Sequence, residues 1–255
     1  MRALVEPRHA VAERLIEIIA VFGRLQGIRP RMDHPQTNVS SQGRIKVSDV
    51  RCRDQVEAMA QYAIDTYGRI DVLINDAGIM PVAYYSDYAY AMEPWEECLD
   101  TALKGTLYAT CAVYDQMIKQ GRGHVINISS ILGNLAVNGS AIYNASKAGV
   151  RFMAESLRTE ASGKIKTTVI RPSSVPTTGL ADTVLNIYAS LDGMYGKAFE
   201  AMAAPHPEAG NRDSIHFKAP DANDLADNII YAINQPWGVS ISDITVRSSG
   251  ECMFV

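Results

Sequence analysis

The sequence predicts an α/β protein built on an open parallel sheet with helices packed on both faces, and three observations predict it. Short β-rich runs recur at 70–74, 125–128, 166–170 and 241–246, and their β-branched and apolar content suits strands buried on both sides. Between them the apolar residues return at helical spacing. With 255 residues, 47% of them hydrophobic, the chain has the length and core material of one α/β domain spanning 1–255. No repeat or linker divides it.

In chain order, residues 10–22 put Val11, Leu15, Ile18, Ile19 and Phe22 on one helical stripe, and a helix is expected there. From 23 to 42 no period is sustained, which predicts an irregular segment. The pattern resumes at Asp49 and Val50. Asp54 and Glu57 have capping-box spacing, and Val56, Met59, Ala60, Ala63, Ile64 and Tyr67 form a stripe stopped by Gly68. The strand at 70–74 then delivers Asn75, Asp76, Ala77 and Gly78 to the carboxyl edge of the sheet. Residues 81–93, rich in Tyr and Ala, read as a loop or broken helix. Pro94, suited to a first helical position, opens a long helix to about Lys119, before Gly121. The strand at 125–128 leads through Ser129 and Ser130 to a helix from Tyr143 to about Glu160, with Val150, Met153 and Leu157 inward. After 166–170 the stretch 179–220 is the least regular. Leu225, Ala226, Ile229, Ile230 and Ile233 then make a last helix, and Ile241, Ile244 and Val246 a last strand.

Composition excludes several classes of function. A formal charge of −4 argues against nucleic acid or an anionic membrane as partner. The five histidines show no H-E-x-x-H spacing and none sits near a cysteine pair, so no metal site is expected. Cys52, Cys98, Cys111 and Cys252 form no C-x-x-C, and nothing resembles a signal peptide, which reads as reduced thiols in the cytoplasm. The longest apolar run, 15–22, is too short to span a membrane.

The chemistry gathers at 126–147. Tyr143 and Lys147, four residues apart, share one face of a helix, while Ser130 stands thirteen residues before Tyr143 at a strand end. An ammonium about 4 Å from a phenol is worth about 4 kcal/mol at an effective dielectric near 20, enough to draw the phenol from about 10 towards neutrality by ~3 units. A phenol so placed exchanges a proton with an alcohol or ketone, and the serine hydroxyl holds the substrate oxygen. A bare Y-x-x-x-K is more often a surface helix; its setting after a strand and two serines is what changes the reading.

That setting, A-x-Y-x-x-S-K-A-G around Tyr143 and Lys147, resembles the active-site segment of the short-chain dehydrogenase/reductase family. Asn75-Asp76-Ala77-Gly78 after its strand is similar to the family's N-N-A-G, and Arg171-Pro172 with Thr177 is similar to P-G-x-x-x-T. The resemblance runs from about residue 49 to the end. It implies a Rossmann-like, doubly wound parallel sheet in three α/β/α layers, with an atypical first strand and glycine loop in 1–48. It further implies an NAD(P)-dependent oxidoreductase that interconverts a secondary alcohol and a ketone. Ser130, Tyr143 and Lys147 would be catalytic. Asp49, Asn75, Ala77, Gly78, Tyr143, Lys147, Pro172, Val175 and Thr177 would contact NADP(H) or NAD(H). The 179–220 stretch would be a substrate lid, and the long helix with the Tyr143 helix would build a homodimer or homotetramer.

The chain also departs from the family pattern. No G-x-G-x-x-G occurs, Asp76 replaces an asparagine, Ala102 stands where a catalytic asparagine is expected, and Ser173 stands for glycine. Asp49 has an alternative use as a turn cap. Arg29 and Arg31 read either as ligands of a 2′-phosphate or as solvated charges. The methionines and aromatics of the lid read as an apolar substrate pocket or as a satellite core. Impaired catalysis, with the fold kept for binding or assembly, is the competing function.

Overall fold

The computed structural model describes residues 48–175, 178–192, 206–218 and 220–251, together with the backbone of 18–21. Five strands, β1 (Ile18–Val21), β2 (Val72–Asn75), β3 (Gly123–Ile128), β4 (Ile165–Pro172) and β5 (Asp243–Val246), form one sheet in that order. Every neighbouring pair is parallel. The register sets Asn75 beside Asn127 and Asn127 beside Val169, so the carboxyl ends of β2, β3 and β4 arrive at one edge.

Alternation along the strands builds the three layers. Leu73, Val125 and Ile165 face one side, where they pack with Val56, Ala60 and Ala63 of α1 (Arg53–Tyr67) and Ala109, Val113 and Met117 of α3 (Gly105–Gln120). Val72, Ile126, Ile128 and Ile170 face the other, against Leu225, Ile229 and Ile233 of α6 (Ala222–Ile233). A period of two in the strands thus meets a helical period on both faces. The fold is a Rossmann-like doubly wound α/β/α sandwich.

Helix α2 (Tyr88–Leu99) continues through a wide turn at Asp100–Lys104 into α3, and α4 (Ala141–Glu160) crosses back along the same layer. The short helix α5 (Ile187–Ser190) sits over the carboxyl edge of the sheet, capped by the Asn186 side chain.

Three local expectations are corrected. Residues 18–21 form β1, not part of a helix, because four continuous apolar residues serve a buried parallel strand as well as a helix and pairing with β2 decides it. The rest of 10–22 lies outside the described residues. Pro94 lies inside α2 instead of opening it. A proline there lacks its helical hydrogen bond, but Ala91, Trp95 and Cys98 are all buried along one stripe, and the Trp95 indole donates to the Pro81 carbonyl at 3.0 Å. Third, α1 is preceded by Cys52 at the N-cap, with no side-chain cap, instead of Asp54; Glu57 pairs with Arg53 at 2.6 Å, an exposed contact of small worth.

Candidate active site

The site is assembled where β3 ends. After Ile128 the chain passes through Ser129, whose hydroxyl donates to the Lys147 carbonyl at 2.8 Å, tying the strand end to α4. Ser130 is extended and heads a tight turn at Ile131–Gly133, its Oγ accepting from the Leu132 amide at 3.1 Å. The turn lies directly on α4: a β-carbon added at Gly133 would stand 3.0 Å from both the Lys147 carbonyl carbon and the Ser129 hydroxyl, so only glycine allows this approach.

Tyr143 and Lys147 project from α4 into that corner and are 4% and 5% exposed, which distinguishes them from a surface Tyr–Lys pair. The Lys147 ammonium donates to the Ile128 carbonyl at 2.9 Å, holding the side chain across the end of β3. It sits 5.7 Å from the centre of the Tyr143 ring. From the opposite side comes the loop after β2, where a β-carbon on Gly78 would be 3.2 Å from Lys147 Nζ.

These groups open on one cavity of about 670 Å³. Ser130, Tyr143 and Lys147 border it together with Asp49, Ala77, Gly78, Pro172 and Val175, so the structure brings most of the expected site residues to one place. Asn75 does not reach the cavity: its amide donates to the Asn127 side chain at 2.9 Å, joining β2 to β3. Thr177 lies outside the described residues, as do Arg29 and Arg31. Ser173 borders the cavity with a buried hydroxyl that has no hydrogen-bond partner among the described residues. Ala102 is 1% exposed and does not border it.

Sequence reasoning missed part of the wall. Arg51 bridges Asp49 at 2.7 Å and Glu97 at 2.6 Å on the cavity rim, an ion-pair cluster visible only once α2 lies beside residue 49. Leu225 and Ile229 of α6 serve the sheet core and the cavity at once, so their stripe read as core alone.

The electrostatics reverse one expectation. Burial pushes the Tyr143 phenol up, not towards neutrality, although a hydrogen bond from the Ser130 hydroxyl opposes the shift. The ammonium that was expected to lower it is itself pushed down by burial, with the field of Asp76 opposing. Taking both groups out of water penalises their charged forms more than their mutual spacing helps. Burial likewise pushes the Asp76 carboxyl up, and Lys147 is the charge that counters it. The Cys98 thiol beneath the pair, 3.3 Å from the Ile79 carbonyl, is raised by burial too.

A parallel α/β/α fold with a buried serine, tyrosine and lysine at the strand ends defines a class of nucleotide-fold proteins, and comparison places the chain within it. A family profile described as short chain dehydrogenase matches residues 10–186, starting earlier than the motifs after Asp49 suggest. The chain belongs to the short chain dehydrogenase family. It is 32% identical over 235 residues to an uncharacterized oxidoreductase of Staphylococcus saprophyticus, covering 90% of this chain and 83% of that protein. The closed form of serine dehydrogenase complexed with NADP+ superimposes with a TM-score of 0.66 at 26% identity, over 90% of this chain and 84% of that one. An alcohol dehydrogenase from the archaeon Thermococcus sibiricus complexed with 5-hydroxy-NADP matches in fold, with a TM-score of 0.62 at 16% identity over 80% and 73% of the two chains. Among the described residues no helix is long and apolar enough to cross a membrane, and no group of three or more His, Cys, Asp or Glu side chains is placed to hold a metal ion.

Proposed function

We propose that the protein interconverts a secondary alcohol and a ketone with a nicotinamide nucleotide as hydride partner. The observation that carries this is the burial of Tyr143 and Lys147 beside Ser130 on one cavity, with Lys147 anchored to the end of β3. The donor set fits a nucleotide: Gly78 leaves space that a β-carbon would fill, and Lys147 has three protons to donate and one protein acceptor among the described residues. Lys147 would bind a ribose hydroxyl, Ala77 and Gly78 would admit the ribose, Asp49 would meet the adenine end, and Pro172, Val175 and Thr177 would face the nicotinamide amide. The NADP+ named for the serine dehydrogenase supports a nucleotide of this kind, phosphorylated or not. The bound nucleotide supplies the hydride acceptor or donor.

The protein's own groups handle the proton. In the oxidation direction the ionised form of Tyr143, which burial disfavours and the Ser130 hydrogen bond favours, takes the proton from the substrate hydroxyl, and in the reduction direction its phenol returns one to the ketone oxygen. Ser130 orients that oxygen by hydrogen bonding, and its bond to the phenol counters the effect of burial. The apolar wall of Leu180, Val184, Leu225 and Ile229 favours a substrate with a hydrocarbon portion. Residues 1–255 act as one domain, with 179–220 as the substrate lid. The exposed Leu107 on α3 and Phe152 on α4, which border a shared groove, would be covered in a homodimer or homotetramer. Work in the cytoplasm suits the cysteine pattern.

The test is a thermal-shift titration with NAD+, NADH, NADP+ and NADPH, followed by an alcohol panel at saturating nucleotide. A nucleotide that binds the native state raises the melting temperature, and turnover should fall at least about a hundredfold in Tyr143→Phe. The missing G-x-G-x-x-G favours a second reading, a family member kept for binding or assembly. No shift with any of the four nucleotides would select it.

A further inference from the structure

The ammonium of Lys147 is buried, and its single hydrogen bond among the described residues goes to an uncharged carbonyl. A buried cation without a counter-charge is unstable, so the carboxylate that answers it matters. Four acidic groups lie around the cavity or beside α4. Asp49 and Glu97 are held by Arg51 on the rim. Cys98 is a neutral thiol, raised by burial. Asp76 remains, on the loop between β2 and Gly78, bordering the same cavity as Lys147. The position where a Gly78 β-carbon would stand is 3.2 Å from Lys147 Nζ and 4.0 Å from the Asp76 carbonyl oxygen, so the loop carrying Asp76 lies against the ammonium. The two side chains also act on one another: Asp76 favours the charged lysine, and Lys147 the charged aspartate.

We propose that Asp76 is a positioning residue that serves as counter-ion to Lys147 and as the acceptor of its proton, a half-buried proton exit built from one carboxylate. This rests on the reading of Tyr143 as the proton acceptor from an alcohol. The two side chains share the cavity without a direct contact, so in the proposed step one cavity water relays the proton: an Nζ–H bond of the ammonium breaks, the water passes a proton on, and an O–H bond forms on Asp76, leaving neutral amine and carboxylic acid. The amine then takes up the proton that Tyr143 received from the alcohol, and Asp76 releases its own to water in the cavity. One proton passes from tyrosine to solvent and no electron moves. The arrangement suits a chain with alanine at 102, which offers no side-chain donor or acceptor there and is shut off from the cavity.

The test uses Asp76→Asn, a near-isosteric change, with Asp76→Glu as the rescue variant. Lys147 is followed by carbon NMR of the full-length protein labelled at lysine Cε, without nucleotide, its signal assigned by its loss in Lys147→Arg. The pH at half-titration of Lys147 should fall in Asp76→Asn and recover in Asp76→Glu. Turnover of the alcohol at saturating nucleotide and pH 7 should drop about tenfold or more, the basic shift of its pH profile should follow the NMR midpoint, and KM should stay within about twofold. An unmoved Lys147 titration overturns the proposal. A moved titration with unchanged turnover and pH profile overturns it as well, since the carboxylate then holds charge without passing a proton. If the parent turns over no alcohol, the reading of Tyr143 fails separately, and the titration alone decides whether Asp76 and Lys147 are a pair.

Discussion

Strand β3 buries an ionisable side chain at each end, and the two ends differ in what is done with it. At its start, His124 is 3% exposed; its Nε2 lies 2.8 Å from the Thr168 hydroxyl, which donates to the Ile241 carbonyl at 2.6 Å. Burial, then the nearby Lys166, pushes the imidazole down to about 3. Lys166 in turn donates to the Val239 carbonyl and lies over Trp237, whose ring also carries Arg122. The three ionisable groups at this end each have a protein partner: His124 has Thr168, Lys166 has the Val239 carbonyl, and Arg122 has the Trp237 ring. At the other end Lys147 has donors in excess of its one protein acceptor among the described residues, and Tyr143 faces a cavity. Both ends shift their ionisable groups, so a shifted group does not by itself mark a site. Unsatisfied donor capacity beside a cavity does.

The largest effect expected from this contrast is on acid stability. His124 binds its proton less readily in the folded state, about 3, than the ordinary 6.5 of an unfolded chain. The unfolded state therefore takes up the proton first as pH falls, so stability is full above about 6.5 and is lost progressively down to about 3. The gap sets a ceiling of about 5 kcal/mol at ~1.4 kcal/mol per unit. Urea unfolding at pH 7.5 and pH 5 should show the parent losing more stability than His124→Gln. Equal losses would mean that the ring is solvated in the folded protein.

Next is Tyr143→Phe, which removes the proposed proton carrier and keeps the ring that fills the corner. Turnover should fall at least about a hundredfold, close to 2.7 kcal/mol of barrier, with the melting temperature nearly unchanged. A phenylalanine variant that keeps most of the parent's activity would break the comparison, because both ends of β3 would then be merely structural.

A smaller effect is expected from Gly123→Ala at the start of β3. The added methyl would stand 2.7 Å from Met117 Cβ, and Met117 is fully buried with no room to withdraw. Overpacking of this kind costs about 1–3 kcal/mol, which calorimetry would register as a fall of several degrees at about 2–4 °C per kcal/mol. Turnover per folded molecule should not change.

How much of this was legible in the sequence follows the same division between local and distant information. Ser130, Tyr143 and Lys147 lie within one strand, turn and helix, so their spacing and the strand before them suffice to place them. The stripes of α1, α3, α4 and α6 are likewise periodic within a single element. What was not legible depends on partners far along the chain. Asn75 turns to Asn127 because the β2–β3 register sets them side by side. β1 is a strand because β2 offers it a parallel edge. The Tyr143 shift has the opposite sign to that expected because burial is produced by the loops from 76, 131 and 172, which no four-residue spacing reveals. The Asp76–Lys147 pair joins side chains from separate crossovers.

Gly78→Ala carries the smallest expected effect and sharpens the contrast most, because it repeats the Gly123 change at the opposite edge of the sheet. Its β-carbon would meet Lys147 Nζ at 3.2 Å, the far end of a flexible side chain and not a packed core group. The ammonium can yield by a few tenths of an ångström, so the fold should tolerate the methyl, and the melting temperature should stay within about a degree, under ~0.5 kcal/mol. Any displacement of Nζ, however, strains its 2.9 Å bond to the Ile128 carbonyl and shifts the charge that the proposed chemistry uses. Nucleotide affinity should weaken severalfold, by about 1 kcal/mol, as measured by calorimetry on the two proteins. A Gly78→Ala variant that instead loses stability as Gly123→Ala does, with its nucleotide affinity intact, would show that the loop at Gly78 is packed for the fold and that Lys147 is not poised for a ligand.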